Sequence, residues 1–210
     1  MSNIKKIKCG HANCYLIYGD NGAVLVDTAQ SKFRDKIFSI CKDKNIKLIL
    51  LTHGHVDHIQ NAAYLSKKLN APLAIHKADY KLSKDNMSEP LYAHSILGKV
   101  ILALSIKSFN QNKIQPFEPE IYLHEGFSLE SYGVNAKVIE LPGHTKGSIG
   151  VVVGETDIIV GDALFNMFYP SKSMLYENRE VMEKSCERIS SFDNVTLHFG
   201  HGKAIKNKMW

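Results

Sequence analysis

Apolar positions along the chain change period several times, and each change marks an element. Residues 14–18 (Cys-Tyr-Leu-Ile-Tyr) and 23–26 (Ala-Val-Leu-Val) are short apolar runs around Gly19-Asp20-Asn21-Gly22, whose Asn-Gly pair is a strong hairpin signal. Over 31–44, Phe33, Ile37, Phe38, Ile40 and Cys41 gather on one side of a helix. Residues 46–51 form a short apolar, β-branched run suited to a strand covered on both faces. A second helix is predicted over 58–69, carrying Ile59, Ala62, Ala63, Leu65 and Leu69, and a strand over 73–75 follows Pro72.

The stretch 85–113 differs in character. Leu97, Val100, Ile101 and Leu104 recur at helical spacing beside Ile96, which predicts a helix or helical pair inserted between two β-rich halves. Core packing is the expectation for it, with a lid or a dimer surface as alternatives. The second half is again β-rich: strands over 136–141, 149–153 and 157–160, a helix over 178–190, and a last strand over 195–199 before Gly200-His201-Gly202. Two β-rich halves with interspersed helices predict an α/β fold with two sheets packed face to face and helices outside, as one domain over 1–210.

Composition refines this picture only slightly. Apolar residues make up 44% and charged residues 22%, as in ordinary soluble globular proteins. No apolar run approaches the roughly 20 residues that cross a bilayer, and no apolar segment follows the first residues, so a cytoplasmic location without membrane contact is expected. The net charge of +5 is spread along the chain without a basic run, which argues against a nucleic-acid surface. Cys9, Cys14, Cys41 and Cys186 contain no Cys-x-x-Cys pair and are expected as reduced, partly buried thiols. Cys9 with His11 is too weak a pair to count as a metal site.

Candidate chemistry gathers at the ends of predicted strands. The first cluster is Thr52-His53-Gly54-His55-Val56-Asp57-His58, the second is Pro142-Gly143-His144 with Gly161-Asp162, and the third is Gly200-His201-Gly202. In extended chain, residues i and i+2 point the same way, so His53 and His55 can reach one ion, while Asp57 and His58 turn towards a neighbouring one. Gly54 permits close backbone approach. Imidazoles with carboxylates suit zinc, and also iron or manganese, and divide naturally between two ions about 3.5–4 Å apart. His11, His76, His94 and His124 are expected at the surface or behind the ligands, and His198 as a packed strand residue.

In order and surroundings, His53-x-His55-x-Asp57-His58, His144, Asp162 and His201 resemble the metallo-β-lactamase-fold hydrolase superfamily. The likeness extends from Asn13-Cys14-Tyr15-Leu16-Ile17 and Leu25-Val26-Asp27-Thr28 to the final Gly-His-Gly. It implies a four-layer αββα sandwich with the site at one edge of the sheets. It also implies that His53, His55 and His144 hold one metal, that Asp57, His58 and His201 hold the other, and that Asp162 bridges them. Asp27 resembles the family's aspartate that steadies the metal loops.

The segment Gly161-Asp162-Ala163-Leu164-Phe165 resembles glyoxalase II-type (hydroxyacylglutathione hydrolase-like) thioester hydrolases rather than β-lactamases, which generally lack the bridging aspartate. Three features depart from that branch. Residues 166–173 lack its Gly-Cys-Gly-Arg-like stretch, Lys146 stands where many relatives carry proline, and little chain follows His201 to supply glutathione-gripping helices. Phe165 stands where quorum-lactone hydrolases usually carry tyrosine. The expected activity is attack of a metal-bridging hydroxide on a thioester or ester carbonyl, with Asp57 handling the proton. Lactone or phosphodiester hydrolysis, or a non-hydrolytic di-iron redox or binding module, are the alternatives. Lys146, Tyr169, Lys172 and Tyr176 are candidate contacts to a small-molecule substrate, and a homodimer is an open expectation.

Overall fold

The computed structural model describes residues 3–210. Strands β1 (Asn3–Cys9) and β2 (Ala12–Tyr18) pair antiparallel, and β3 (Ala23–Val26) returns along β2. The predicted Asn-Gly turn joins β2 to β3 and is closed by the Gly19 N–H donating to the Gly22 carbonyl at 3.0 Å. β1 lies outside the predicted elements, because Lys5, Lys6 and Lys8 interrupt the apolar positions Ile4, Ile7 and Cys9.

After β3 come α1 (Arg34–Cys41) and β4 (Ile46–Leu50). The helix predicted over 58–69 is two, α2 (Val56–Ile59) and α3 (Ala62–Leu69). Asn61 explains the break. Its buried amide donates to the carbonyls of Thr28 (2.8 Å), Ala29 (3.2 Å) and Gln30 (2.8 Å), tying the helical junction to the turn after β3. β5 (Leu73–His76), α4 (Tyr80–Lys84), α5 (Ile96–Gln111) and β6 (Ile121–Leu123) complete this half. The first sheet runs β1-β2-β3-β4-β5-β6, parallel from β3 onward.

The second half supplies β7 (Ala136–Glu140), β8 (Ile149–Val153), β9 (Asp157–Gly161), β10 (Leu164–Phe165), β11 (Ser171–Lys172), α6 (Arg179–Ser190), β12 (Thr196–Phe199) and β13 (Ile205–Lys206). Asn178 caps α6 by accepting the Val181 N–H at 3.1 Å. The second sheet is ordered β13-β12-β9-β8-β7. β7 and β9 each pair antiparallel with β8, and β12 is parallel to β9, so β7, β9 and β12 end at the same edge.

Between the sheets, Tyr15, Ile17, Val24 and Leu48 meet Val138, Val151 and Ile159 in a core whose large side chains each contribute roughly 1.5–3 kcal/mol. Outside the first sheet, Ile37, Cys41 and Leu65 from α1 and α3 cover Ile7, Leu16 and Leu25. Outside the second, Met182, Cys186 and Ile189 of α6 cover Ile158 and Leu197. The architecture is the four-layer αββα sandwich. All four cysteines are unpaired and buried, and no helix among the described residues is long and apolar enough to cross a membrane.

The core-packing expectation for 85–113 does not hold. The helix there is α5, and Ile96, Val100 and Leu104 are 86%, 54% and 63% exposed. Its other face, Leu97, Ile101 and Leu102, packs part-buried against Phe165, Met174 and Leu175. One face rides over the loops beside β10 and the opposite face is exposed, so the helical spacing reports a partial cover rather than a core element.

Candidate metal centre

The loops after β4, β7, β9 and β12 converge at one edge of the sandwich. Three overlapping donor groups lie there: His53, His55 and His144; His53, His58 and Asp162; and Asp57, His58 and His201, with the ligand atoms in each group within 4.8 Å of one another. Asp162 Oδ2 lies 3.2 Å from His201 Nε2 and 3.8 Å from His144 Nε2, while its Oδ1 lies 3.5 Å from His58 Nε2. Asp57 Oδ2 is 3.4 Å from His201 Nε2. The Asp162 side chain is 4% exposed and that of Asp57 is 31% exposed, so Asp57 is the carboxylate of this cluster open to the outside.

Four of the five imidazoles are aimed by a partner behind them. His144 Nδ1 donates to the Leu175 carbonyl at 2.8 Å, and His201 Nδ1 to the His11 carbonyl at 2.9 Å. His58 Nδ1 donates to Asp27 Oδ2 at 2.8 Å, and His53 Nδ1 meets Thr52 Oγ1 at 3.1 Å. These bonds keep a proton on Nδ1 and turn Nε2 towards the centre, where the ring would serve as a cation ligand in its neutral form. His55 instead turns Nδ1 inward, 3.0 Å from His144 Nε2, and stacks on Phe109 of α5 with ring centroids 4.9 Å apart.

Asp27 lies at the end of β3 with φ +60°, a strained setting for a side-chain-bearing residue. Besides His58, its carboxylate accepts the Thr52 N–H at 2.8 Å and the Thr52 hydroxyl at 2.9 Å. Gly200 is needed for space, since a Cβ there would lie 2.0 Å from Asp162 Oδ1. Gly54 is required by the helix beside it: a Cβ would lie 2.5 Å from the Cβ of Leu82.

The charges are unusual for a packed interior. Burial drives His53 well below the ordinary imidazole range, drives His55 down to about 3, and lowers His144. Burial would lower His58 too, but the carboxylates of Asp162, Asp27 and Asp57 hold it at about 9. His201 is likewise raised against its burial by Asp162 and Asp57. The surrounding imidazoles depress Asp162, despite its burial, to about 2, and depress Asp57 as well. Buried carboxylates of this kind call for positive charge. His53 Nε2 and Asp162 Oδ1, both buried, have no hydrogen-bond partner. Unpaired buried donor atoms among converging imidazole lone pairs and carboxylates fit divalent cations.

Two residues that support the centre were not anticipated. Asp79, fully buried just before α4, accepts the Gly54 N–H at 2.8 Å and the Thr145 hydroxyl at 2.7 Å on Oδ2, and the Gly147 N–H on Oδ1. It ties the His53–His55 loop to the His144 loop. Burial raises its carboxyl to about 6 against the pull of those donors. Asn86 accepts the Val56 N–H at 2.6 Å and donates to the Gly54 carbonyl at 2.8 Å. An acid ahead of a short helix and an asparagine in a polar loop carry no distinguishing sequence signal.

A cavity of about 120 Å³ opens on Asp57, walled by Phe109, Ser105 and Ser108 of α5 and by His11, Gln30 and Lys32. The substrate candidates lie elsewhere. Lys146 is exposed and sits 3.6 Å from Glu89 and 3.8 Å from Glu177. Tyr169 and Lys172 line a separate cavity of about 250 Å³ with His94 and Arg179. Tyr176 pairs through its backbone with Tyr92 and lies against the His94 ring. His11, His94 and His124 are exposed, and His76 lies 3.4 Å from Glu140. His198 pairs with Asp157 at 2.7 Å, away from the cluster.

A family model described as the metallo-beta-lactamase superfamily matches residues 7–201. An uncharacterized protein of Mycobacterium tuberculosis is 27% identical over 203 residues, covering 91% of this chain and 86% of the relative. Hydroxyacylglutathione hydrolase GloC of Haemophilus influenzae is 29% identical over 158 residues, covering 73% of this chain and 66% of the relative. Among solved structures, TTHA1623 in a di-iron-bound form superposes with a TM-score of 0.71 at 23% identity, covering 97% of this chain and 94% of that one.

Proposed function

This chain belongs to the metallo-beta-lactamase superfamily, and from that membership we propose that it is a binuclear metal-dependent hydrolase of thioester or ester bonds. The observation that carries the proposal is the overlap of the donor groups, with Asp162 between the His144 and His201 sides and its Oδ1 left unpaired. His53, His55 and His144 would hold one cation, Asp57, His58 and His201 the other, and Asp162 would serve both. The similarity to a hydroxyacylglutathione hydrolase supports a thioester carbonyl as the target. Bound there, two divalent cations supply an acidified water as nucleophile and an electrophile for the carbonyl oxygen.

The rest is work for the chain's own groups. Asp57, ionised and lining the cavity, would accept the proton of the attacking water at Oδ1, since Oδ2 faces His58 and His201, and return it to the departing thiol or alcohol. Asp27, Leu175 and His11 keep the imidazoles aimed, so the donor set is preorganised. Phe109 and α5 keep bulk water off one side of the cavity. Zinc is the proposed ion, and iron or manganese suits the same donors. The di-iron form of a protein of the same fold makes iron the reading to test against zinc.

Steady-state assays of metal-loaded and chelator-treated protein on small thioester, ester, lactone and phosphodiester substrates test the proposal. Thioester or ester turnover that vanishes on chelation and returns with added metal is expected. Turnover confined to phosphodiesters, or none on any carbonyl substrate, would overturn it.

A further inference from the structure

A second cavity, of about 670 Å³, lies beside the centre and plays no part in the chemistry described above. Its floor is the edge strand β1. Ile4 packs into the core between the sheets, so by strand alternation Lys6 and Lys8 share its inward face, while Ile7 and Cys9 pack on the opposite face against the α1 layer. The inter-sheet face at this edge therefore carries lysines where apolar side chains would be expected. The chain after β12 forms the wall. Gly202 accepts from Asn13 Nδ2 at 2.9 Å and from Lys6 Nζ at 3.4 Å, and Lys203 lies next to it. Met167 and Phe168, 36% and 65% exposed, form the other wall. Among the described residues, no carboxylate lines the groove.

His11, at the turn between β1 and β2, lines both this cavity and the one opening on Asp57, so the two adjoin there. The His11 carbonyl is also the group that aims His201. A carbonyl substrate at Asp57 that is longer than the adjoining cavity of about 120 Å³ would reach this groove past His11. Lys6 and Lys8 are two residues apart, about 7 Å along the strand, a spacing that matches two successive anionic groups on one extended tail. Three lysines in a lining that, among the described residues, holds no acid raise the local concentration of such a ligand by their field.

We infer that the Lys6–Lys8–Lys203 groove is the binding site for a polyanionic tail of the substrate, one bearing several carboxylates or phosphates, with Met167 and Phe168 contacting its apolar part. The inference rests on the reading of the centre as a carbonyl hydrolase, because it assigns the groove to the same substrate.

Titration calorimetry with non-hydrolysable thioethers tests it without turnover. The probes are S-hexylglutathione (carboxylates), S-hexyl-coenzyme A (phosphates) and neutral S-hexyl-N-acetylcysteamine, each with the full chain. At least one anionic probe is expected to bind roughly tenfold or more tightly than the neutral one, with the advantage shrinking as salt rises. The tighter anionic arm identifies the tail. In the triple variant Lys6→Ser/Lys8→Ser/Lys203→Ser the advantage is expected to disappear, and in the corresponding Lys→Arg variant to persist. Equal affinity for all three probes would overturn the inference. So would a triple variant that self-associates yet keeps wild-type affinity, because the lysines would then serve only to protect the sheet edge. Anionic binding without any thioester hydrolysis would count against the proposed function and leave the groove assignment standing. Thioester hydrolysis with no preference for anionic probes would do the reverse.

Discussion

The ligand loops and helix α5 touch at the stacked rings of His55 and Phe109, yet they are held in opposite ways. Around the loops nearly every side chain has a second residue fixing it. Asp27 holds Thr52 and His58, Asp79 joins the His53 and His144 loops, and Asn86 fixes the Gly54 carbonyl. Along α5, Gly98 is the one buried residue, and Ile96, Val100 and Leu104 face outward. The contrast separates a clamped donor cluster from a loosely held cover beside it. Chemistry needs geometry fixed within fractions of an ångström and is built from buried polar clamps. A cover over the entrance needs only to be present, and it is secured by a few part-buried apolar contacts that substitution can retune.

The largest effect is expected within the clamped region. Asp57→Asn removes the proposed proton acceptor and is expected to lower kcat by roughly 10²- to 10⁴-fold, with KM changed far less. Steady-state kinetics on a thioester checks this, and full activity would remove Asp57 from its role. Asp79→Asn comes next. It replaces an all-acceptor carboxylate by a group that cannot accept from Gly54, Thr145 and Gly147 together, and metal affinity is expected to fall about 10- to 100-fold. Competition with a chelating dye measures it.

Asp79 also gives the comparison a pH signature. Its folded carboxyl titrates near 6, above the ordinary value of about 3.9 for an unfolded chain. Between those values the folded state holds the extra proton, so this group's contribution to stability is greatest at the acid end and is lost as pH rises through about 6. Denaturant unfolding of chelator-treated protein from pH 4 to 7 should show that downward contribution in the wild type and its loss in Asp79→Asn.

On the α5 side the effects shrink. Phe109→Ala removes a ring contact worth about 0.5–1.5 kcal/mol and is expected to raise KM about 2- to 10-fold with kcat nearly unchanged. A change confined to kcat would mean that α5 belongs to the fixed centre after all. Ile96→Ser, Val100→Ser and Leu104→Ser should each leave unfolding free energy within about 0.5 kcal/mol of wild type. A loss of several kcal/mol would show that this face is covered in solution.

Sequence and structure agree where chemistry and local pattern coincide. Histidines at i and i+2 after an apolar strand, followed by Asp57-His58, can converge only if the chain turns there, and it does at α2. The Asn-Gly turn behaves the same way. Features that depend on distant partners stayed hidden. Asn61 looks like any polar residue within a helical pattern until its three carbonyl partners after β3 are known. Asp79 has the sequence of an ordinary helix-start acid, and its role comes from loops brought together by the fold. β1 is concealed by the lysines that line the groove. For α5, periodicity identifies a helix but cannot say whether a second layer covers it.

The shared position of Asp162 is tested most directly by counting metal ions. Protein stripped with chelator, dialysed to saturation against zinc and analysed by inductively coupled plasma mass spectrometry is expected to hold two ions per chain. Asp162→Ala should fall below that number while His198→Ala, outside the cluster, stays at it. Saturation of the wild type at one ion, or an Asp162→Ala variant that still binds two with unchanged affinity, would contradict a centre in which Asp162 serves both.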